Sequence, residues 1–327
     1  MPEEIGFTTT IPIEIILAAG KTPVDLNNMF ISDKNPLSLI QEAEEAGFPP
    51  SCCAWIKGIY AVAIRAGIKR VVAVTQGDCS YSKVLMEILR ISEIETIPFA
   101  YPPNRDSTLL DKELEGLRRY FSPSQENISR VTQLLNRVRE KLHCLDELTW
   151  QENLVSGYEN HIFLVKSSDM TGDPVRFEEE IDDFLNKLNF ALPYTQEIRL
   201  GYIGVPPIFG DLYQYIETLG ARVVYNEIHR QFTLPQASQD LIESYREYTY
   251  PYDIWGRLRD IQHESKKRKL HGLVHYTQSF CHRQLEDLVF RKYLDLPILT
   301  IEGDRPTGLD TRTKTRLEAF IELWRGH

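Results

Sequence analysis

The stretch "KRVVAVTQGDCS", residues 69–80, indicates the class of fold. Its β-branched apolar run breaks at Gly77, and residues 81–90, "YSKVLMEILR", then place apolar side chains at helical spacing. The extended "ETIPFAYPP" follows after a short connection. This order of strand, turn, helix and strand favours a parallel sheet covered by helices.

Working outward, the same alternation of strand and helix signals occurs on both sides of a helical region. Further strand signals lie in residues 11–20, 199–210, 220–229, 272–282 and 296–304. Between about residue 105 and residue 190 the patterns are amphipathic and helical instead. The sequence therefore predicts an α/β fold with two Rossmann-like parallel-sheet units and a helical middle segment.

Domain boundaries follow from these patterns. We expect a first α/β unit in residues 1–104, a helical segment in 105–195 and a second α/β unit in 196–327. The last amphipathic helix places Leu317, Phe320, Ile321 and Trp324 on one side, so it should pack on the second sheet.

Composition excludes several classes of partner. A formal net charge of -10 makes a non-specific hold on nucleic acid or on an anionic membrane improbable. The start, "MPEEIGFTTT", is acidic where a secretory signal would be basic, and no apolar run approaches the roughly 18 residues of a membrane span. We therefore expect a cytoplasmic protein whose partners are small molecules or other proteins.

Five cysteines in a reducing compartment suggest metal ligation or burial rather than disulfides. Cys79 and Cys281 each follow a predicted strand, where ligands gather in parallel sheets, and Cys52 or Cys53 would join them from the turn after Pro49 and Pro50. Thiolates from three distant segments suit an iron–sulfur cluster better than zinc, and plain burial is the competing interpretation. Cys144 lies at an apolar position of a helical pattern and is predicted to be a core residue.

Six segments together resemble the 2-hydroxyacyl-CoA dehydratase family, of the D-component or benzoyl-CoA-reductase type. They are "IILAAG", "CAWIKG", "GDCSYSKVLMEIL", "SFCHRQLEDLVFRK", "LPILTIEGD" and "TRLEAFIEL", and the resemblance runs from about Ile11 to Leu323. It implies a cluster, [4Fe–4S] in the simplest case, bound by Cys53, Cys79 and Cys281. Cys52 is the neighbouring alternative to Cys53.

The resemblance also implies chemistry with single low-potential electrons. In the family, an ATP-hydrolysing iron–sulfur activator delivers an electron, and a thioester carbonyl accepts it so that a hydroxyl group leaves as water. The implied partners are that activator, a second copy or a paralogous subunit, and an acyl-CoA or other small-molecule substrate. One family branch reduces small molecules at a double-cubane cluster of eight irons, and the adjacent Cys52 and Cys53 keep that branch open. A non-catalytic cluster-bearing subunit is another alternative.

Further residues near the cysteines are candidates for roles at such a site. His275 and His282 are candidate proton carriers or donors to a cluster sulfur, and Ser279 and Gln278 candidate hydrogen-bonding groups. Lys57 is a candidate to offset cluster charge, or else a solvated lysine. Asp78 and Ser80 are predicted to cap the helix that begins near Tyr81. No G-x-G-x-x-G follows a strand, which argues against a dinucleotide-binding protein.

Overall fold

The structure is a computed structural model that describes residues 2–188 and 190–325. It contains two four-stranded sheets in which every observed strand pair is parallel. The first sheet has the order β2-β1-β3-β4 and the second the equivalent order β6-β5-β7-β8. The strands are β1 Glu4–Phe7, β2 Thr22–Asp25, β3 Arg70–Gln76, β4 Glu95–Ala100, β5 Ile198–Ile203, β6 Ala221–Asn226, β7 Gly272–Gln278 and β8 Ile298–Gly303. The predicted fold class, α/β with two parallel-sheet units, is confirmed.

Helices cover the sheets and fill the middle of the chain. In chain order they are α1 Ile13–Ala18, α2 Leu26–Ile31, α3 Pro36–Glu45, α4 Ala54–Arg65, α5 Tyr81–Ile91, α6 Ser107–Phe121, α7 Gln125–Trp150, α8 Gly157–Lys166, α9 Pro174–Leu188, α10 Leu212–Thr218, α11 Glu227–Phe232, α12 Leu241–Glu247, α13 Ile254–Lys267, α14 Glu286–Tyr293 and α15 Thr311–Glu322. Short 3-10 helices span Pro103–Arg105, Met170–Gly172 and His282–Leu285. Within the described residues, no helix has the length and apolar character that a membrane crossing requires.

The interpretation of residues 11–20 as a strand is wrong. This segment forms α1, and Ile13, Ile15 and Ile16 are all buried between the first sheet and the helices α6 and α7. A helix that is buried on every side has no polar face, so its sequence cannot be distinguished from that of a buried strand. The first sheet instead begins with β1 and β2, which are only four residues long each.

The middle of the chain is helical, as predicted. One face of α7 is buried through Ile128, Val131, Leu135, Val138, Leu142 and Leu145. Cys144 is exposed, so its prediction as a core residue is wrong. It immediately precedes Leu145, and one residue turns a helix by roughly 100°, which carries the thiol away from the buried face.

The middle helices pack against elements of both α/β units. Helix α7 packs against α1, whereas α8 packs against β6 and α11. Helix α8 begins with a capping box, in which Ser156 and Glu159 each bind the other's backbone N–H. The boundaries at residues 104/105 and 195/196 stay a prediction.

The last helix packs on the second sheet, as predicted. Leu317, Phe320 and Ile321 of α15 are buried in the same core cluster as β8 residues. Gly272 at the start of β7 leaves room for this helix, because a Cβ atom there would lie 2.7 Å from Trp324 and 2.8 Å from Phe320.

Candidate functional site

A cavity of about 700 Å³ lies where the carboxyl ends of the two sheets face each other. Segments that follow strands of both sheets line it, in keeping with the usual place of ligands in parallel sheets. They include residues 8–10 after β1, Asp78 and Cys79 after β3, residues 205–211 after β5, Phe280 and Cys281 after β7, and residues 306–308 after β8.

Three cysteines line this one cavity although they come from distant parts of the chain. Cys53 immediately precedes α4, Cys79 lies between β3 and α5, and Cys281 immediately precedes the short helix His282–Leu285. The tertiary structure therefore brings together the three positions that the sequence singled out.

A backbone N–H donor two residues further along favours the ionised form of each of these three thiols. The donors are Trp55 for Cys53, Tyr81 for Cys79 and Arg283 for Cys281. The N–H of Ile56 acts on Cys53 in the same way, and Cys53 occupies the N-cap position of α4 without a side-chain capping bond. Such N–H groups stabilise negative charge on sulfur, which is the form that binds metal.

Burial opposes that ionisation in the protein alone. It raises the pKa of Cys53 and of Cys79 to about 12, and it also raises the pKa of Cys281. Asp78 and the other two thiols add to the rise for Cys79, so the three groups lie close enough to influence one another. Without a cationic partner the three thiols are protonated at neutral pH, and a bound metal would displace those protons.

Cys52 is placed differently from its neighbour. It is buried in the core and is not among the residues that line the cavity. The positive charge of Lys57 acts on Cys52, and the Lys57 amine binds Glu44 at 2.7 Å and the carbonyl oxygen of Pro50 at 3.1 Å. Lys57 is therefore a buried, paired lysine rather than a solvated one.

The three candidate catalytic residues do not line the cavity. His275 is buried in β7 with its Nδ1 2.8 Å from Asp287 Oδ1, and it packs edge-on against Phe290. Ser279 donates its hydroxyl to Glu302 Oε1 at 2.7 Å. His282 is exposed. Their proposed roles stay predictions, and their surroundings favour structural contacts for His275 and Ser279.

Gln278 and Trp55 connect two of the cysteine segments. Trp55 Nε1, two residues after Cys53, donates to Gln278 Oε1 at 3.1 Å, and Gln278 Nε2 donates to the carbonyl of Asp304 at 3.0 Å. The sequence drew attention to Gln278 but not to Trp55. The only sequence signal that could have identified Trp55 is its position within the segment "CAWIKG".

The prediction that Asp78 or Ser80 caps α5 is wrong. Ser80 occupies the N-cap position but makes no side-chain capping bond. The carboxylate of Asp78 instead lines the cavity and accepts from the Tyr250 hydroxyl at 3.5 Å. Asp78 is drawn away from the helix because loops of the second half pack directly against this turn.

The cavity lining includes one member of a histidine pair that sequence analysis missed. His161 of α8 lines the cavity, stacks on Tyr213 with ring centres 4.8 Å apart, and approaches His229 with 3.2 Å between the Nδ1 atoms. Burial lowers the pKa of His161 to about 3, so the ring is neutral at physiological pH. A neutral imidazole supplies one hydrogen-bond donor and one acceptor.

A buried carboxyl pair beside the cavity predicts an unusual pH dependence of stability. Burial, with the charge of Asp25, raises the pKa of Asp169 to about 7 from 3.8. Because the folded state binds this proton more tightly than the unfolded state, stability falls as pH rises through the folded pKa. Between pH 6 and pH 8 this group should lower the free energy of unfolding by about 1 kcal/mol.

Urea unfolding of the protein and of Asp169→Asn at both pH values measures this effect. In Asp169→Asn, the free energy of unfolding should no longer show this decrease between pH 6 and pH 8. The control Asp240→Asn changes an exposed capping residue and should show the same decrease as the parent protein. Equal pH dependence in the parent protein and in Asp169→Asn would contradict the assignment.

Comparison with known protein families identifies the family of this chain. The sequence model of the family described as 2-hydroxyglutaryl-CoA dehydratase, D-component, matches residues 8–323. The chain belongs to this family. A search of curated proteins found no match. Membership supports a 2-hydroxyacyl-CoA dehydratase-like subunit, and the family is known for iron–sulfur clusters.

The donor set of this dehydratase-family chain fits a cluster better than a single metal ion. In residues 2–188 and 190–325, no group of three or more His, Cys, Asp or Glu side chains is spaced to hold one ion. Cluster thiolates bind different iron atoms, so their sulfur atoms need not converge on one point. Cys53, Cys79 and Cys281, each with a backbone N–H donor, meet that requirement.

Proposed function

We propose that this chain is the cluster-binding subunit of a 2-hydroxyacyl-CoA dehydratase and holds one [4Fe–4S] cluster through Cys53, Cys79 and Cys281. The observation that carries the proposal is the meeting of these three thiols at one cavity between the two sheets. Family membership over residues 8–323 supports the dehydratase class.

Three protein thiolates leave one iron of such a cluster without a protein ligand, so the bound group supplies both a one-electron relay and a Lewis-acidic iron. The chain's own residues bind the substrate and exclude water. Residues 205–211 form a wall with two prolines, Ile208 and Phe209, and this wall suits an apolar acyl group. The neutral ring of His161, which also lines the cavity, offers a polar contact.

We infer the partners from the same chemistry. Low-potential electrons would come from an ATP-dependent activator, and the substrate would be an acyl-CoA thioester. A second copy or a paralogous subunit would complete the enzyme. The cytoplasmic location stays a prediction from the sequence.

The position of Cys52 disfavours the double-cubane alternative. A second cubane would need further thiols at the cavity, yet Cys52 lies in the core near Lys57 and Cys144 is exposed on α7. The described cysteines therefore supply the ligands of a single cubane.

Anaerobic iron and sulfide counting with electron paramagnetic resonance tests the function. We expect about four irons and four sulfides per chain and the signal of a reduced cubane after treatment with a strong one-electron reductant. Fewer than about one iron per chain after reconstitution would contradict the proposal, and about eight would favour the double cubane. Addition of an activator, ATP and 2-hydroxyacyl thioesters then tests for formation of the unsaturated product.

A further inference from the structure

Arg283 connects two of the cysteine segments directly. It lies two residues after Cys281, and its Nη2 donates to the carbonyl oxygen of Gly77, two residues before Cys79, at 3.3 Å. The same nitrogen donates to the carbonyl oxygen of Tyr250 at 3.1 Å. One side chain of the second half thereby fixes the loop that follows β3 of the first sheet.

Packing holds the guanidinium group in this place. It lies over the ring of Tyr250, 4.2 Å from the ring centre, and its side chain is only 13% exposed. The Tyr250 hydroxyl in turn donates to Asp78, the residue before Cys79. A side chain with this many fixed contacts has little rotational freedom, so its charge has a defined position.

Three carboxyl groups and a second arginine surround Arg283. Its Nη1 donates to Glu286 Oε1 at 2.9 Å, and Asp78 faces it from the other loop. Arg257 also binds Glu286 and makes two bonds of 2.6 and 2.7 Å to Glu227. Removal of the Arg283 charge would therefore leave excess negative charge beside Cys79 and Cys281.

We propose that Arg283 is a positioning residue for the cluster, which ties the Cys79 loop to the Cys281 loop and places a fixed positive charge beside the bound cluster. This inference rests on the proposed function. Reduction adds negative charge to a cluster, and nearby charge and hydrogen bonds to its sulfurs set the reduction potential. The guanidinium group therefore makes the cluster easier to reduce. Its hydrogen bonds between the two loops keep the thiols of Cys79 and Cys281 at a fixed position relative to each other.

Two variants of Arg283 separate charge from geometry. Arg283→Gln removes the charge and Arg283→Lys keeps it, while neither can keep the Nη2 bonds to Gly77 and Tyr250 together with the Nη1 bond to Glu286. The matched control is Arg105→Gln. Arg105 is half-buried, donates to the backbone carbonyl of Arg246 and lies 4.7 Å from the ring centre of Tyr252. Neither arginine lines the cavity, but Arg105, unlike Arg283, makes no bond to either cysteine loop.

The first measurement is the midpoint potential of the cluster-loaded proteins. Electron paramagnetic resonance monitors how much of the cluster is reduced at each potential. Arg283→Gln should shift the potential to more negative values than in the parent protein. Arg283→Lys should lie closer to the parent value, and Arg105→Gln should match it. A cluster-loaded Arg283→Gln protein with the parent midpoint potential would overturn the electrostatic role.

The second measurement needs no cluster. In metal-free protein, iodoacetamide should alkylate Cys79 and Cys281 about tenfold faster in Arg283→Lys, which keeps the positive charge that favours the thiolate, because losing the tie favours local opening of the loops. Exposed Cys144 serves as the internal standard of unchanged rate, and circular dichroism confirms folding. Unchanged rates at Cys79 and Cys281 would overturn the tie. A parent protein without iron would instead contradict the proposed function, and the alkylation rates would still decide the tie.

Discussion

Cys79→Ser and Cys281→Ser should each lower the iron content of the anaerobically reconstituted protein from about four atoms per chain to fewer than about one. Both cysteines line the cavity, and a backbone N–H favours the ionised form of each thiol, which is the form that binds metal. Serine keeps the size of the side chain but replaces the soft thiolate with a poorly ionised oxygen. Iron analysis and the visible absorbance of the cluster measure the loss.

The remaining cysteines provide matched controls for this result. Cys53→Ser should lose iron in the same way, whereas Cys52→Ser should retain it because Cys52 lies outside the lining of the cavity. Cys144→Ser, on the exposed face of α7, should retain all of it. Equal iron loss in Cys52→Ser and Cys53→Ser would instead favour ligands for two neighbouring cubanes.

Gly77→Ala should destabilise the protein by about 2–5 kcal/mol and should also reduce iron binding. Gly77 has a φ angle of +95°, which side chains rarely adopt. A Cβ atom there would also lie 2.6 Å from the carbonyl oxygen of Pro251 and 2.9 Å from Tyr101 Cβ. Since Pro251 belongs to the second half of the chain, relief of this clash would move the Cys79 loop away from Cys281.

Gly47→Ala separates backbone strain from the steric clash. Gly47 has a similar φ of +105°, but a Cβ atom there would meet nothing within 4 Å. Its substitution should cost only about 1–2 kcal/mol and leave iron binding unchanged. Urea unfolding and iron analysis measure both effects, and equal losses in the two variants would show that the contact with Pro251 is unimportant.

Strands β3 and β7, which each lie inside their sheet, could be predicted because buried parallel strands have continuous apolar, β-branched sequences. Residues 69–76 and 272–278 have this character, and they form β3 and β7. The short strands β1 and β2 could not be recognised in this way. Strand β2 contains Pro23, which is tolerated because β2 is an edge strand with one side free of hydrogen-bonding partners.

The candidate site shows the same division. The sequence placed Cys79 and Cys281 after strands, and parallel topology sends the ends of such strands to one edge of a sheet. The sequence could not show whether Cys52 or Cys53 lines the cavity, because this depends on which side of the turn faces the cavity. His161, Trp55 and Arg283 were missed for a related reason, since each acts through a partner between 68 and 223 positions away in the chain.

By itself, the sequence determined the fold class, the helical middle, the family resemblance and the three cysteine segments, because each depends on local periodicity or on contiguous motifs. Only the tertiary structure decided that the carboxyl ends of the two sheets face each other across one cavity. It also decided that Cys53 lines this cavity while Cys52 does not, and that Arg283 joins the two cysteine loops. Hydrogen bonds, close packing and matched charges between distant segments arise only when the chain is folded, and they leave no periodic signal in the sequence.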